Sequence, residues 1–198
     1  MVVQTVKDRD VEFLFEMGQI RYIQRLWRRF LTPEFENLAE HTFRVAWIAL
    51  MVGKHEGADL GKVAKMALVH DITESRIGDV DEVSRVYVER KEEMAIKEML
   101  KGTEIEAEFL GLWEEYEKRE SLEAKVVKDS DNIDIDMELQ EQASRGNDLR
   151  KVLPRDIIAN TKMYTQTGKK LIKDVQKADP HAWHINAKNR RNIGDWKE

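Results

Sequence analysis

The fold is decided by Ala67-Leu68-Val69-His70-Asp71-Ile72-Thr73-Glu74, an apolar run with helical spacing that ends abruptly in a histidine, an aspartate and a glutamate. Burying an imidazole beside a carboxylate costs several kcal/mol unless a partner such as a metal ion compensates for it. Neighbouring helix residues diverge by about 100°, so both side chains reach one ion only where the last turn opens onto a cavity. A hydrogen-bonded His-Asp pair with nothing bound is the alternative, and this stretch alone does not decide between the two.

The composition limits what kind of protein this is. The chain has 198 residues, which is enough for one domain or for two very compact ones, and it has no cysteine. Any metal must therefore be held by His, Asp or Glu, which suits Mn, Co, Fe, Zn or Mg. The net charge of -5 argues against a nucleic-acid partner. No secretory signal or long apolar run is visible, so we expect no membrane span and a cytoplasmic location.

Apolar residues recur with a period typical of helices along most of the chain, and we predict an all-α bundle of about six to eight helices. The body should comprise residues 1–178, and residues 179–198 should form a tail that packs on the body or on a second subunit. We interpret residues 82–119 as two charged helices without chemistry beyond packing. The predicted helices run over 11–30, 37–57, 59–71, 82–101, 103–119, from 121 onward, and 154–175.

Two further polar residues stand on apolar helical stripes. His41 shares a stripe with Val45 and Ile48, and Asp131 lies one turn from Val127. A lone histidine in such a place is more often a satisfied core residue than a ligand. The aspartates nearby fall partly on other faces, where we expect them to be solvated or to contact the ligands; they are Asp129, Asp134 and Asp136.

Three separate helices thus each place polar residues where apolar ones belong. Together His41, His70, Asp71 and Asp131 make a set of four N and O donors, which would leave open positions on an ion that accepts five or six ligands. The set favours a divalent metal site. The segment after Glu74 reads as a loop, and loops beside a rigid scaffold commonly carry catalytic groups.

This order of His, His-Asp and a distant Asp resembles the HD-domain metallophosphohydrolase superfamily. The flanking sequences resemble its small 5'-deoxynucleotidases, the YfbR-like branch; they are Asn37-Leu38-Ala39-Glu40-His41, His70-Asp71-Ile72-Thr73-Glu74, Gly78-Asp79 and Lys128-Asp129-Ser130-Asp131. The resemblance implies an HD-domain bundle, a homodimer and a divalent metal ligated by His41, His70, Asp71 and Asp131. It also implies that Glu74 positions or deprotonates the attacking water, and that Asp79 is essential near the sugar or the water.

The resemblance extends to substrate binding. Trp27 stands at the separation from His41 at which these enzymes have a tryptophan, but Leu26 replaces the arginine that precedes it in the bacterial type. The choice between deoxyribose and ribose therefore stays open. The predicted substrate-binding residues are Arg25, Trp27, Arg28 and Arg44.

The predicted function is metal-dependent removal of the 5'-phosphate from (deoxy)nucleoside monophosphates, with the nucleotide as the small-molecule partner. The alternatives are another HD reaction, on a dNTP, (p)ppGpp or a cyclic nucleotide, and a non-catalytic module that binds a nucleotide. A scaffold that uses the basic residues Lys188, Arg190 and Arg191 is a further alternative. The His181 and His184 pair has no third ligand nearby, which makes it a poor metal site.

Overall fold

The protein is all helix and loop in the part that this computed structural model describes, residues 7–187. It has ten α-helices there, of which α4 and α10 are single turns. The all-α prediction is confirmed. The helices are α1 Asp8–Met17, α2 Leu38–Glu56, α3 Leu60–Val69, α4 Glu74–Ile77, α5 Glu92–Leu100, α6 Glu106–Lys118, α7 Leu122–Ser144, α8 Arg155–Thr161, α9 Gln166–Val175 and α10 Ala182–Ile185.

The core lies where α2 packs against α3 and α7, with α6 and α9 closing its sides. Its fully buried side chains include Val45, Val52, Met66, Val127 and Ile133. Interiors of this kind are close-packed and hold side chains in fixed rotamers. The core therefore positions α2 and α7, which carry His41 and Asp131, and α3, which ends next to His70.

The helix starts follow the sequence signals. The Asn37 side-chain oxygen accepts a hydrogen bond from the Glu40 amide at 3.1 Å, and the Glu40 carboxylate accepts one from the Asn37 amide at 2.9 Å. The two bonds make a complete capping box at the start of α2. Asp59 and Ser121 cap α3 and α7 more simply, since each side-chain oxygen accepts one backbone amide. Gly57 ends α2 with a φ of 76°, a left-handed conformation that glycine adopts without strain.

The prediction of a single helix over residues 11–30 is wrong. Helix α1 ends at Met17, and the chain continues as short 3₁₀ turns around an extended stretch at residues 23–25. Two long-range hydrogen bonds hold this path, from the Leu38 amide to the Ile23 carbonyl at 2.9 Å and from the Leu26 amide to Asp79 Oδ2 at 2.7 Å. These tertiary contacts outweigh the helical spacing of the apolar residues.

The helix predicted over residues 82–101 forms only as α5. Its first half is irregular, apart from a 3₁₀ turn at Ser84–Val86. Val83 and Val86 are 66% and 76% exposed, so the apolar residues in this half bury little surface that could stabilise a helix.

The helix predicted over 154–175 is divided into α8 and α9 by a buried aspartate. Asp129 is fully buried and accepts hydrogen bonds from the amides of Tyr164 and Thr165, both at 2.8 Å, and from the Thr165 hydroxyl. Thr165 in turn caps α9. The expectation of a solvated side chain is therefore wrong for Asp129, which holds the junction of α8 and α9 against α7.

Asp136 is also buried, and it pairs with a cation. The Arg155 Nε atom donates to Asp136 Oδ2 at 3.0 Å, and Gln176 Nε2 donates to Asp136 Oδ1 at 3.0 Å. The aspartate thereby fastens α8 and the end of α9 to α7.

The C-terminal segment touches the body through a polar contact. His181 Nε2 lies 3.1 Å from the hydroxyl of Ser144, whereas Trp183 is 79% exposed and does not anchor the segment on this chain. Lys188, Arg190, Arg191 and Trp196 lie outside the described residues. Within the described range no helix is both long and apolar enough to cross a bilayer.

Candidate active site

The four predicted metal ligands converge between the first turn of α2, the segment just after α3 and the middle of α7. His41 Nε2 lies 3.6 Å from Asp71 Oδ2 and 3.4 Å from Asp131 Oδ1, and His70 Nε2 lies 3.3 Å from Asp71 Oδ2. One donor atom from each residue falls within 4.8 Å of all the others. Helix α3 ends at Val69, so His70 and Asp71 occupy the opened last turn that lets both reach one point.

The hydrogen bonds of the two histidines select the tautomer that binds metals. His70 Nδ1 lies 2.8 Å from the Ala67 carbonyl, and His41 Nδ1 lies 2.6 Å from Asp134 Oδ2. Because both partners are acceptors, each Nδ1 carries the proton and each Nε2 presents a lone pair. Both Nε2 atoms are buried and have no hydrogen-bond partner among the described residues. Orphaned acceptors of this kind fit a metal ion.

The two aspartates are suited to the same role. Burial would raise the pKa of Asp71, but His70 and His41 outweigh it and hold that pKa well below its usual value. Burial likewise opposes ionisation of Asp131, and Lys128 with His41 lowers its pKa well below the usual range. Two anionic oxygens and two imidazoles, which bind metal in their neutral form, are a donor set for Zn, Mn, Co or Fe.

Arg25 is buried among the carboxylates that surround this cluster. Its guanidinium Nη1 lies 3.7 Å from both Asp71 Oδ2 and Glu74 Oε2, and its Nε lies 4.0 Å from Asp79 Oδ2. A cation in this place offsets the repulsion among three carboxylates. Its prediction as a residue of the substrate site agrees with its position in the cavity wall.

Glu74 stands beside the ligand set without belonging to it. Burial and the nearby Asp71 carboxylate raise the pKa of Glu74 to about 9, although Arg25 opposes the shift. Its Oε2 atom is buried without a hydrogen-bond partner among residues 7–187. A carboxyl group with a raised pKa and a free oxygen beside a metal cluster is a candidate acid-base group.

Arg44 does not reach this site, and its prediction as a phosphate ligand is wrong. Its guanidinium pairs with four carboxylates behind His41, those of Asp134, Glu36, Glu138 and Glu141. Arg28 is also absent from the cavity wall, because its Nε donates to the Phe35 carbonyl at 3.0 Å. Of the four predicted substrate residues, Arg25 and Trp27 line the cavity.

Asp134 connects this buried network to the metal ligands. It accepts from His41 Nδ1 on one oxygen and from Arg44 Nε on the other, and it is fully buried. From the sequence we expected Asp134 either to be solvated or to contact a metal ligand, and its contact with His41 agrees with the second alternative. Asp134 thereby fixes the ring orientation and the tautomer of His41.

We expect Asp134→Asn to weaken metal binding by about 10- to 100-fold, because a carboxamide holds the His41 ring and raises its basicity less well. Titration of the chelator-stripped protein with Mn²⁺ measures the effect. Asp136→Asn is the control, because it changes a buried aspartate two residues away that does not contact His41. Equal affinity for Mn²⁺ in Asp134→Asn and the wild type would contradict this role.

Three members of the cluster, His70, Asp71 and Asp131, line a cavity of about 620 Å³. Trp27, Trp113 and Tyr116 contribute aromatic surface to its wall. Sequence reasoning missed the cations in this wall, which come from the charged segment that we assigned to packing alone and from α7 and α8; they are Arg85, Arg90, Arg119, Lys128 and Arg155. Periodicity gave no signal for them, since surface helices are also rich in charge.

Comparison with known proteins agrees with this geometry. The family profile described as HD domain matches residues 17–178. The chain belongs to the HD domain family. This confirms the family resemblance and the HD-domain bundle that it implied.

Individual proteins give further points of comparison. The 5'-deoxynucleotidase HDDC2 of Bos taurus is 34% identical over 139 residues, which are 66% of this chain and 66% of that protein. A conserved hypothetical protein from Pyrococcus furiosus superposes with a TM-score of 0.70 at 25% identity, covering 85% of this chain and 99% of that one. The cyanophage S-2L HD phosphohydrolase DatZ, bound to dA and one catalytic Zn²⁺, shares the fold with a TM-score of 0.51 at 16% identity, over 89% of this chain and 100% of that one. The matched segment spans about two thirds of the HDDC2 length.

Proposed function

We propose that this protein is a metal-dependent phosphohydrolase that removes the 5'-phosphate from deoxynucleoside monophosphates. The observation that carries the proposal is the pair of buried, unpartnered Nε2 atoms of His41 and His70, which lie close to Asp71 and Asp131 beside a large cavity. The similarity to proteins named 5'-deoxynucleotidase supports the choice of substrate.

The chain's own residues divide the work in this proposal. A divalent ion held by His41, His70, Asp71 and Asp131 would supply positive charge to the phosphate and lower the pKa of a water molecule. The charge of the ion would favour the ionised form of Glu74, and its unpartnered Oε2 would then accept a proton from the water and orient it toward phosphorus. Arg25 lies between Asp71 and Glu74, where its positive charge offsets their mutual repulsion and fixes the positions of both side chains.

Asp79 is the proposed partner of the leaving sugar. The Leu26 amide donates to its Oδ2 at 2.7 Å, which fixes the carboxylate in the cavity wall beside Trp27. A carboxylate held in this way can hydrogen-bond to a sugar hydroxyl or to the water. The location of Asp79 in the cavity wall supports an essential role, which stays a prediction.

The cavity suits a mononucleotide. Its volume of about 620 Å³ falls in the range of about 300–1,000 Å³ that is typical of sites for small ligands. The indole rings of Trp27 and Trp113 offer surfaces for a base or a sugar.

Product analysis tests the proposal against its alternatives. Chelator-stripped protein reloaded with Mn, Co, Mg or Zn is incubated with deoxy- and ribonucleoside monophosphates, dNTPs, (p)ppGpp and cyclic nucleotides. We expect orthophosphate and a nucleoside from the monophosphates. Release of tripolyphosphate or pyrophosphate, or opening of a cyclic nucleotide with no monophosphatase activity, would assign another HD reaction. Nucleotide binding without turnover would identify a non-catalytic module.

A homodimer is the proposed assembly. Helix α2 leaves Phe43, Trp47 and Met51 between 59% and 68% exposed along one face, which suits contact with a second copy. A cytoplasmic location and the lack of nucleic-acid binding remain predictions from the sequence.

A further inference from the structure

Arg119 has a backbone conformation that its side chain does not favour. It ends α6 with φ 56° and ψ 27°, and among the described residues it alone has a positive φ without being a glycine. Glycine is the usual residue at such a helix end, because it has no Cβ to clash. Strained positions of this kind cluster at functional sites. The arginine side chain itself therefore calls for an explanation.

The guanidinium is held in place by a ring. Its Cζ lies 3.2 Å from the centroid of the Tyr116 ring, and Tyr116 is only 2% exposed. The Tyr116 ring also contacts the metal cluster, since it meets the His70 ring edge-on with centroids 5.6 Å apart. Arg119 is thus fixed one ring away from a candidate metal ligand.

Arg119 also retains unused capacity to donate hydrogen bonds. Its Nη1 is buried and has no hydrogen-bond partner in the described part of the chain, and its Nη2 reaches only Glu117 Oε1, at 3.5 Å. Two other cations of the wall are engaged more closely, Arg155 by Asp136 and Lys128 by Asp131. A buried, unpaired guanidinium nitrogen is costly and fits an anion in the cavity.

We propose that Arg119 binds the phosphate group of the substrate and holds it against the metal cluster. This inference rests on the proposed phosphomonoesterase function and names a residue that fixes the position of the scissile group. A planar guanidinium binds two phosphate oxygens at once, which orients the group as well as neutralising it. Lys128, whose Nζ lies 2.6 Å from Asp131 Oδ2, adds charge beside it.

The test uses the two products as probes, because they are not turned over. Inorganic phosphate and deoxyadenosine are titrated into Mn²⁺-loaded protein, and binding is followed by tryptophan fluorescence, since Trp27 and Trp113 line the cavity. We expect Arg119→Gly to weaken phosphate binding by about 10- to 100-fold, because the variant loses a charge-assisted hydrogen bond to the phosphate. Deoxyadenosine affinity should stay within about twofold, and kcat/KM for dAMP should fall together with the phosphate affinity.

Two further variants separate a phosphate role from a structural one. Glycine suits the φ of this position, so the Tm of Arg119→Gly should not fall far. Arg119→Lys should recover part of the phosphate affinity through its charge. Lys118→Gly removes the same charge one residue earlier, at an exposed position outside the cavity wall, and should bind phosphate normally.

Each result decides for or against the inference. Unchanged phosphate affinity in Arg119→Gly, or an equal loss of phosphate and deoxyadenosine binding, would overturn it, and so would a wild-type protein that binds no phosphate. If the wild type hydrolyses no nucleotide but binds phosphate through Arg119, the proposed function fails while the phosphate-binding role of Arg119 stands. If the wild type is active and Arg119→Gly matches it, only the inference fails.

Discussion

Replacing Asp71 with alanine is expected to lower orthophosphate release from dAMP by about three orders of magnitude while the helical fold persists. The proposed ion would lose one of four ligands, and its charge stabilisation of the phosphate amounts to several kcal/mol. The fold should tolerate the change, because Asp71 lies beyond the end of α3 and outside the apolar core. Metal stoichiometry, kcat/KM and far-UV circular dichroism measure the three expectations.

Asp81→Ala is the matched control for Asp71→Ala. Asp81 also lines the cavity, but it pairs with Arg29 at 2.8 Å and lies outside the ligand set. We expect this variant to bind metal with the wild-type stoichiometry. Near-normal turnover in Asp71→Ala, or full metal occupancy, would remove Asp71 from the ligand set.

Glu74→Gln is expected to lower kcat by about 10²- to 10³-fold without loss of bound metal, the effect of removing a general base. Glutamine keeps the size of the side chain and the contact with Arg25 but does not accept a proton. Single-turnover kinetics on metal-loaded protein separate the chemical step from substrate binding. A fall in metal occupancy that equals the fall in rate would instead make Glu74 a ligand.

The same substitution should change how the stability of metal-free protein depends on pH. The pKa of Glu74 is raised from about 4.5 to about 9, so the folded protein binds a proton that the unfolded chain releases. The stability from this group is present in full below pH 4.5 and is lost as pH rises toward 9. Glutamine resembles the neutral acid, and Glu74→Gln should therefore lose less stability over this range. Parallel curves of Tm against pH for the two proteins would contradict the shift.

The sequence revealed the ligand cluster because its residues are out of place locally. His41 and Asp131 interrupt apolar stripes, and His70-Asp71 ends an apolar helix, so each anomaly is visible without knowledge of the fold. The bundle was predictable for a related reason, since the capped starts of α2, α3 and α7 depend on residues within one turn. Local signals of this kind survive in the folded chain.

Contacts between distant segments could not be predicted in the same way. The path of residues 18–30 depends on a hydrogen bond from Leu26 to Asp79, and the break between α8 and α9 depends on Asp129. Arg44 follows His41 by three residues and was expected to share its face, but a carboxylate network behind His41 holds it. Arg119 looks like an ordinary charge at a helix end, and only its φ, its stack on Tyr116 and its unpaired nitrogen distinguish it.

The central claim is that the cluster of His41, His70, Asp71 and Asp131 holds the ion on which phosphate hydrolysis depends. Its most direct test is orthophosphate release from dAMP by protein stripped with chelator, measured before and after one equivalent of Mn²⁺ or Co²⁺ is restored. The account predicts no release from stripped protein and recovery that saturates at one ion per cluster. Undiminished release from protein shown to be free of metal would contradict it.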